Sequence, residues 1–348
     1  MGTATLAPAL ADTAVGQDWP PPFLLYTGNA PDLLAAKVAN GLLKWRPQDC
    51  LAQLRGPQSK VDLGLPDREP AQALADGCRT MIVGVANAGG MMDDYTVAKV
   101  IEALEAGMHV ASGLHDRLRA HPDIMAAAQR AGRSLFDARQ PPDTPVGNGR
   151  KRAGKRLLTV GTDCSTGKMF TTLALARELQ ARGVPADFRA TGQTGIFISG
   201  AGIPIDAVVS DFISGGIEWL SPAREDGGWD LIEGQGSLFH ASFAGVSLGL
   251  LHGSQPDALV LCHEPGRAHM RGLPHYPVPS LDEALEANLR AARLTNPDVR
   301  MVGIALNTSA MPRPEAQGLC AQLERRYALP VVDPLIDGVA TIADRMLA

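Results

Sequence analysis

The stretch that most constrains this chain is Leu157-Leu158-Thr159-Val160-Gly161-Thr162-Asp163-Cys164-Ser165-Thr166-Gly167-Lys168-Met169. A short apolar run enters a small-residue turn, and a Gly-Lys pair then opens a helical stretch. That order sets main-chain N–H groups and a helix N-terminus round an anion, with the lysine adding positive charge. A Gly-Lys pair alone carries little weight; its place between strand and helix makes it a phosphate-binding loop. Two departures stand out. Five residues separate Gly161 from Gly167 where four are usual, and Met169 stands where Ser or Thr normally holds Mg²⁺. Thr166, Thr171 and Thr172 are the substitutes within reach in sequence. A loop that grips a diphosphate without cleaving it is therefore a serious reading.

From Phe23 onward, short apolar runs alternate with helical periodicity, which predicts βαβ units and a mostly parallel sheet. Strands are expected over 23–26, 80–85, 109–111 and 134–136, with helices over 33–45 and 94–106, in a small α/β domain spanning 23–138. The turn at 87–90, Asn-Ala-Gly-Gly, is read as an ordinary βα turn in preference to a ligand contact. Residues 139–155 are rich in Pro and Gly, carry five basic side chains, and form the expected linker. Beyond it, strands are expected over 157–160, 186–190, 207–211, 229–233, 258–262, 301–306 and 330–332. Helices over 168–182, 281–294, 314–327 and 339–347 complete a doubly wound α/β domain spanning 156–348. Residues 1–22, Ala-rich without Lys or Arg and ending in Pro20-Pro21-Pro22, are read as a disordered tail with no secretory signal.

Composition excludes several classes. Lys+Arg 32 against Asp+Glu 37 gives a net charge of −5 with no long block of one sign, which argues against a nucleic-acid-coating protein. No apolar run approaches the ~18 residues of a membrane span. The five cysteines, at 50, 78, 164, 262 and 320, include no Cys-x-x-Cys pair, so a reducing compartment and a cytoplasmic location are expected. Of the 37 glycines, 16 fall between Gly161 and Gly253, and aromatic residues are only 5%. This distribution points to a binding edge made largely of main chain.

Three further groups carry chemistry. Trp229-Asp230-Leu231-Ile232-Glu233-Gly234-Gln235-Gly236-Ser237 delivers an acid from an apolar strand into a glycine-rich turn, where Glu233 can hold a metal, act as a general base, or position a water or ammonium group. His240 follows closely and is a second candidate base. Cys262 to His275 contains Arg267 and Arg271, a pair suited to a dicarboxylate, beside His263. His263, His269 and His275 fit no compact ligand spacing, so no metal site is expected. Gln193 and Thr194, in Ala190-Thr191-Gly192-Gln193-Thr194-Gly195, follow an expected strand at the same sheet edge. Cys164 is read as a small side chain packed in the loop rather than a nucleophile.

The loop spacing, with Asp230 to Glu233-Gly234 downstream, resembles the dethiobiotin synthetase branch of P-loop proteins, whose loop ends Lys-Thr and uses Mg-ATP. Met169 departs from that pattern. A closer resemblance spans about 23–348. It rests on Gly161-Thr162-Asp163-Cys164 with Gly167-Lys168-Met169, on Ala190-Thr191-Gly192-Gln193-Thr194-Gly195, on Ile232-Glu233-Gly234-Gln235-Gly236-Ser237, and on His263 with Pro265-Gly266-Arg267 and Arg271-Gly272. By these residues the chain resembles the D-glutamate N-acetyltransferase family, long catalogued as having unknown function. That resemblance implies a Rossmann-like N-terminal domain followed by a P-loop NTPase-like domain, and transfer of the acetyl group of acetyl-CoA to the amine of D-glutamate in D-amino acid catabolism. It also implies an N-acetyl-D-glutamate dehydrogenase as pathway partner, and a homo-oligomer is expected.

On this reading Thr162, Asp163, Cys164, Ser165, Thr166, Gly167, Lys168 and Met169 clamp the CoA phosphates. Glu233 or His240 takes the proton of the substrate ammonium, and N–H groups within 234–237 stabilise the oxyanion. Gln193, Thr194, His263, Arg267 and Arg271 are the expected substrate-binding residues. The alternative is an ATP- and Mg²⁺-dependent ligase or kinase acting on a small carboxylate. A third reading is a nucleotide-binding regulatory protein that turns nothing over.

Overall fold

A computed structural model describes residues 19–86 and 88–348. Most of the expected tail, residues 1–18, and Asn87 of the turn at 87–90 lie outside the described residues. The described chain forms two compact units: one of residues up to 142 together with 192–207, the other of 143–191 together with 208–348. No helix among the described residues is long and apolar enough to cross a membrane.

The first unit is built on β1 (Phe23–Gly28), β2 (Cys50–Arg55), β3 (Thr80–Val83), β4 (His109–Ser112) and β5 (Leu135–Asp137), all parallel in the order β2-β1-β3-β4-β5. This is a doubly wound order. Every residue of β1 is buried, as a strand covered by helices on both faces requires. Helix Asp94–Ala106 starts where Asp93 accepts the Thr96 N–H at 2.7 Å and stops at left-handed Gly107. The helix expected over 33–45 begins only at Lys37. Leu33 and Leu34 are 52% and 43% exposed, and Asp32 instead takes the Ala35 N–H at 2.8 Å, a local bond that competes with helix.

The second unit adds β6 (Lys155–Gly161), β7 (Ala186–Arg189), β8 (Trp229–Ile232), β9 (Ala258–His263), β10 (His269–Met270), β11 (Leu273–Pro277), β12 (Arg300–Leu306) and β13 (Val331–Val332). Six of these form a parallel sheet in the order β13-β12-β9-β6-β8-β7, while β10 and β11 pair as an antiparallel ribbon. β6 lies between β8 and β9, and the chain leaves it towards opposite edges. The crevice at the carboxyl ends of these three strands is thus where an open α/β sheet binds ligands.

The strand expected over 207–211 does not form. The 3₁₀ turns Ile205–Ala207 and Ser210–Phe212 occupy that stretch, Val209 is 66% exposed, and the chain runs on into helix Ile213–Leu220. An Ala-Val-Val run reads as a strand only if a neighbour covers it, and these residues pair with no strand of the sheet, whose edge strand on that side is β7. Residues 147–152, whose composition marks a linker, are tied to their own unit. Asn148 and Gly149 donate N–H bonds of 2.9 Å to Glu218, and Arg152 donates to the carbonyls of Ser221 and Gly253.

At the other end of the sheet Asp230 is fully buried, accepting from Arg189 at 2.9 Å, Arg224 at 2.9 Å and Ser221 at 2.5 Å. A carboxylate so enclosed fixes β7, β8 and the segment before β8 against one another rather than facing a ligand. Helix Arg313–Tyr327 carries Gly318, round whose added Cβ there is open space. G318A is therefore expected to stabilise the fold by about 0.5–1 kcal/mol, read as a rise in melting temperature of a few degrees.

Candidate functional site at the phosphate loop

The loop after β6 is shaped by two residues with left-handed backbone, Ser165 at φ 56° and Gly167 at φ 99°, the latter directly before helix Lys168–Ala181. Lys168 is only 6% exposed. Its Nζ donates to the Asp163 carbonyl at 2.7 Å and lies 3.5 Å from Thr166 Oγ1. Burial pushes the Lys168 ammonium below its usual range, and Arg267 adds to that shift. A Cβ added at Gly161 would sit 2.8 Å from both Lys168 Nζ and Thr166 Oγ1, so these two groups would have to shift to admit one.

Asp163 is the hub of the loop. Fully buried, it accepts from its neighbour's Cys164 N–H at 2.6 Å, from Arg267 Nη1 at 2.7 Å and from the Arg271 N–H at 2.8 Å. Arg267, expected to hold a substrate carboxylate, is engaged inside the protein: Nη1 also donates to the Cys164 carbonyl at 2.7 Å and Nη2 to Glu264. Arg271 differs, for its Nη1 is buried and has no hydrogen-bond partner among the described residues. Thr162 Oγ1 lies 3.0 Å from His263 Nδ1, and burial lowers the His263 pKa below its usual range.

Glu233 directly follows β8 and is 4% exposed. Its Oε2 accepts the Thr191 N–H at 3.0 Å and its Oε1 accepts Gln235 Nε2 at 3.2 Å, which fixes the carboxylate in one orientation. The following turn packs on the lysine, since a Cβ at Gly234 would lie 3.1 Å from Lys168 Cδ. The Gly234 N–H, expected among the oxyanion donors, is instead bonded to Thr159 Oγ1 at 3.0 Å. His240 is 2% exposed; its Nδ1 accepts the Ser242 N–H at 3.2 Å, so Nε2 carries the proton and donates to the Arg271 carbonyl at 3.0 Å.

The hydroxyls proposed to replace a magnesium ligand face inward. Thr171 donates to the Gly167 carbonyl at 3.0 Å, Thr172 to the Lys168 carbonyl at 2.8 Å, and Thr166 to the Asp163 carbonyl at 3.2 Å. Met169 offers no oxygen. Cys262 lies under the helix with its thiol 3.5 Å from Thr171 Oγ1, and burial pushes its pKa to about 11, so it stays protonated. Gln193 and Thr194 open helix Gln193–Ser199 and belong to the other compact unit, where the Gln193 amide donates to the Gly113 carbonyl at 2.7 Å and accepts from Arg139 at 2.9 Å.

The fold also gathers Asp163, Cys164 and His240, one ligand atom from each lying within 4.8 Å of the others. Sequence spacing could not show this, because His240 lies 76 positions after Cys164. Their environment is nonetheless poor for a cation. Asp163 is already neutralised by Arg267, both His240 nitrogens are bonded, and the Lys168 ammonium is adjacent in the loop. What sequence reasoning missed is the role of Asp163. A carboxylate inside a small-residue loop needs a buried partner, and the arginines of the loop after β9 were the available signal.

Comparison with known proteins follows the same division. Residues 145–343 match the P-loop domain of a family described as a domain of unknown function, DUF1611, and residues 56–141 match its Rossmann-like N-terminal domain. A D-glutamate N-acetyltransferase from Tritonibacter scottomollicae is 50% identical over 328 residues, 94% of this chain and 98% of that protein. Another, from a Pseudoalteromonas species, is 49% identical over 323 residues, 92% of this chain and 97% of that protein. The crystal structure of a DUF1611 family protein from Anabaena variabilis, at 2.30 Å resolution, superposes with a TM-score of 0.86 at 31% identity, covering 94% of this chain and 99% of the other. With both of its domains matched and its relatives aligned over nearly their whole length, this chain belongs to the DUF1611 family, a Rossmann-like domain followed by a P-loop domain.

Proposed function

We propose that the chain is an N-acetyltransferase that moves the acetyl group of acetyl-CoA to the amine of D-glutamate. The identity of about half of all residues with two D-glutamate N-acetyltransferases, across almost the whole of each, carries this reading. The crevice chemistry supports it. A diphosphate needs main-chain donors and cations, which the loop and Lys168 supply. Cleaving one needs a magnesium ligand, and Met169 replaces the residue that usually provides it. Acetyl transfer asks the loop only to hold.

The acceptor amine attacks as the free base, so its ammonium proton must leave. Glu233 takes that role, as a buried carboxylate oriented by the Thr191 N–H and Gln235. Because the turn after Glu233 packs on Lys168, an acyl donor anchored at the loop lies close to this carboxylate. The product, an N-acylated acidic D-amino acid, suits an N-acetyl-D-glutamate dehydrogenase, and the enzyme works in the cytoplasm as a homo-oligomer.

The test is to incubate the pure protein with acetyl-CoA and D-glutamate and to follow thiol release. Thiol release is expected with the D enantiomer in preference to the L, and E233Q is expected to lower kcat by roughly 10²- to 10⁴-fold. ATP turnover without thiol release would sink the transferase reading in favour of a ligase or kinase.

A further inference from the structure

Arg271 is placed by its main chain. Its N–H donates to Asp163 Oδ2 at 2.8 Å and its carbonyl accepts from His240 Nε2 at 3.0 Å. Asp163 belongs to the phosphate loop itself, so the first bond ties the Arg271 peptide to that loop. The second comes from a rigid ring. His240 is 2% exposed, stacks on Phe243 with centroids 4.5 Å apart, and is oriented by the Ser242 N–H at Nδ1. While the peptide is held at both ends, the Arg271 guanidinium keeps a buried Nη1 with no hydrogen-bond partner among the described residues. Burying such a group is costly unless a ligand completes it. Arg267 offers no such group at this place, because Asp163 and Glu264 already neutralise it.

We infer that Arg271 is the second cation of the phosphate loop, taking the diphosphate of the cofactor rather than a carboxylate of the acceptor, and that Asp163 and His240 are positioning residues acting through its main chain. The inference rests on acetyl-CoA being the acyl donor. A diphosphate carries more charge than one lysine can balance, and the planar guanidinium adds a bidentate partner to the point charge of Lys168. His240 is poorly disposed to be a base, since its one lone pair already accepts the Ser242 N–H and its proton maintains the tie to Arg271. Asp163, likewise, spends its carboxylate on anchoring.

The test measures CoA binding to the full chain by calorimetry, with initial rates for both substrates, in wild type, R271A, R271Q, H240A and H240Q. R271A and R271Q are expected to weaken CoA binding roughly tenfold or more and to raise the KM for acetyl-CoA alike, with the KM for D-glutamate changing by less than about threefold. H240A shifts the same constants by a smaller factor. H240Q, whose amide can donate to the Arg271 carbonyl but cannot titrate, recovers most of that loss and keeps the pH profile. A rise in the KM for D-glutamate alone in R271A overturns the phosphate assignment. H240Q as inactive as H240A, both down by about 100-fold or more in kcat with a limb of the pH profile lost, overturns the positioning role. A wild type that binds CoA but releases no thiol refutes the activity, while the dependence of CoA affinity on Arg271 still decides this inference.

Discussion

Replacing Lys168 by Met is expected to weaken CoA binding while raising the melting temperature of the free protein. Lys168 is buried, and burial holds its pKa below the ordinary lysine value. Between that depressed native pKa and about 10.4, where an unfolded lysine titrates, the unfolded chain binds more protons than the native one, so stability rises with pH through this window. Below the window the charged ammonium is a burden that the native state carries in full. Methionine has similar length and no charge, and it removes that burden along with the Nζ bond to the Asp163 carbonyl. What is lost is a charge-assisted hydrogen bond to phosphate of about 1.5–3 kcal/mol, roughly a 10- to 150-fold weaker Kd. Calorimetry with CoA and a thermal melt read the two effects separately. A lowered melting temperature with CoA affinity retained would mean that Lys168 is a strut of the loop and not a ligand-binding cation.

The phosphate loop was legible because its signal is local. Strand β6, the turn and helix Lys168–Ala181 follow one another in sequence, and a Gly-Lys pair at that junction has few other uses. Most strands were legible for a similar reason, as short apolar runs buried on both faces. Where the reading failed, the deciding contact was distant. Ala-Val-Val at 207–209 has strand composition, but it pairs with no strand and leaves Val209 exposed between two 3₁₀ turns. The unit to which Gln193 and Thr194 belong was equally hidden: they follow a strand of the P-loop unit, yet their helix belongs to the other unit, where Gln193 meets Gly113 and Arg139. The two arginines after β9 looked equivalent, and only the fold separates them. Arg267 meets two carboxylates, whereas Arg271 is anchored by its peptide and leaves a guanidinium nitrogen uncommitted. The pairing of Arg271 with His240 spans 31 positions and involves a carbonyl, which no residue pattern encodes.

Gly234→Ala is expected to be among the most damaging single substitutions in the P-loop unit. A Cβ there would lie 1.7 Å from the Thr159 carbonyl oxygen and 2.8 Å from its carbon, both rigid backbone atoms of β6. Neither side has room to retreat. β6 pairs with β8 through Leu158 and Ile232, Glu233 donates its N–H to the Arg189 carbonyl at 3.0 Å, and Gly234 donates its own to Thr159 Oγ1 at 3.0 Å. Relief of the clash must break one of these bonds or part the central strands, a cost of about 4–5 kcal/mol, which is a large fraction of the 5–15 kcal/mol typical of a whole fold. For a unit of this size the melting temperature should fall by roughly 10–20 °C. Gly167→Ala provides the contrast. Its backbone sits at φ 99° with nothing within 4 Å of an added Cβ, so only the strain of left-handed backbone applies, about 1–2 kcal/mol and roughly 2–8 °C. Thermal melts of the two variants side by side separate backbone collision from backbone strain. A G234A melt within about 2 °C of wild type would show that the Glu233 turn does not pack on β6 as described. Since the added Cβ would also lie 3.1 Å from the Lys168 stem, folded G234A protein should bind CoA more weakly than G318A, whose substitution lies on a helix outside the loop.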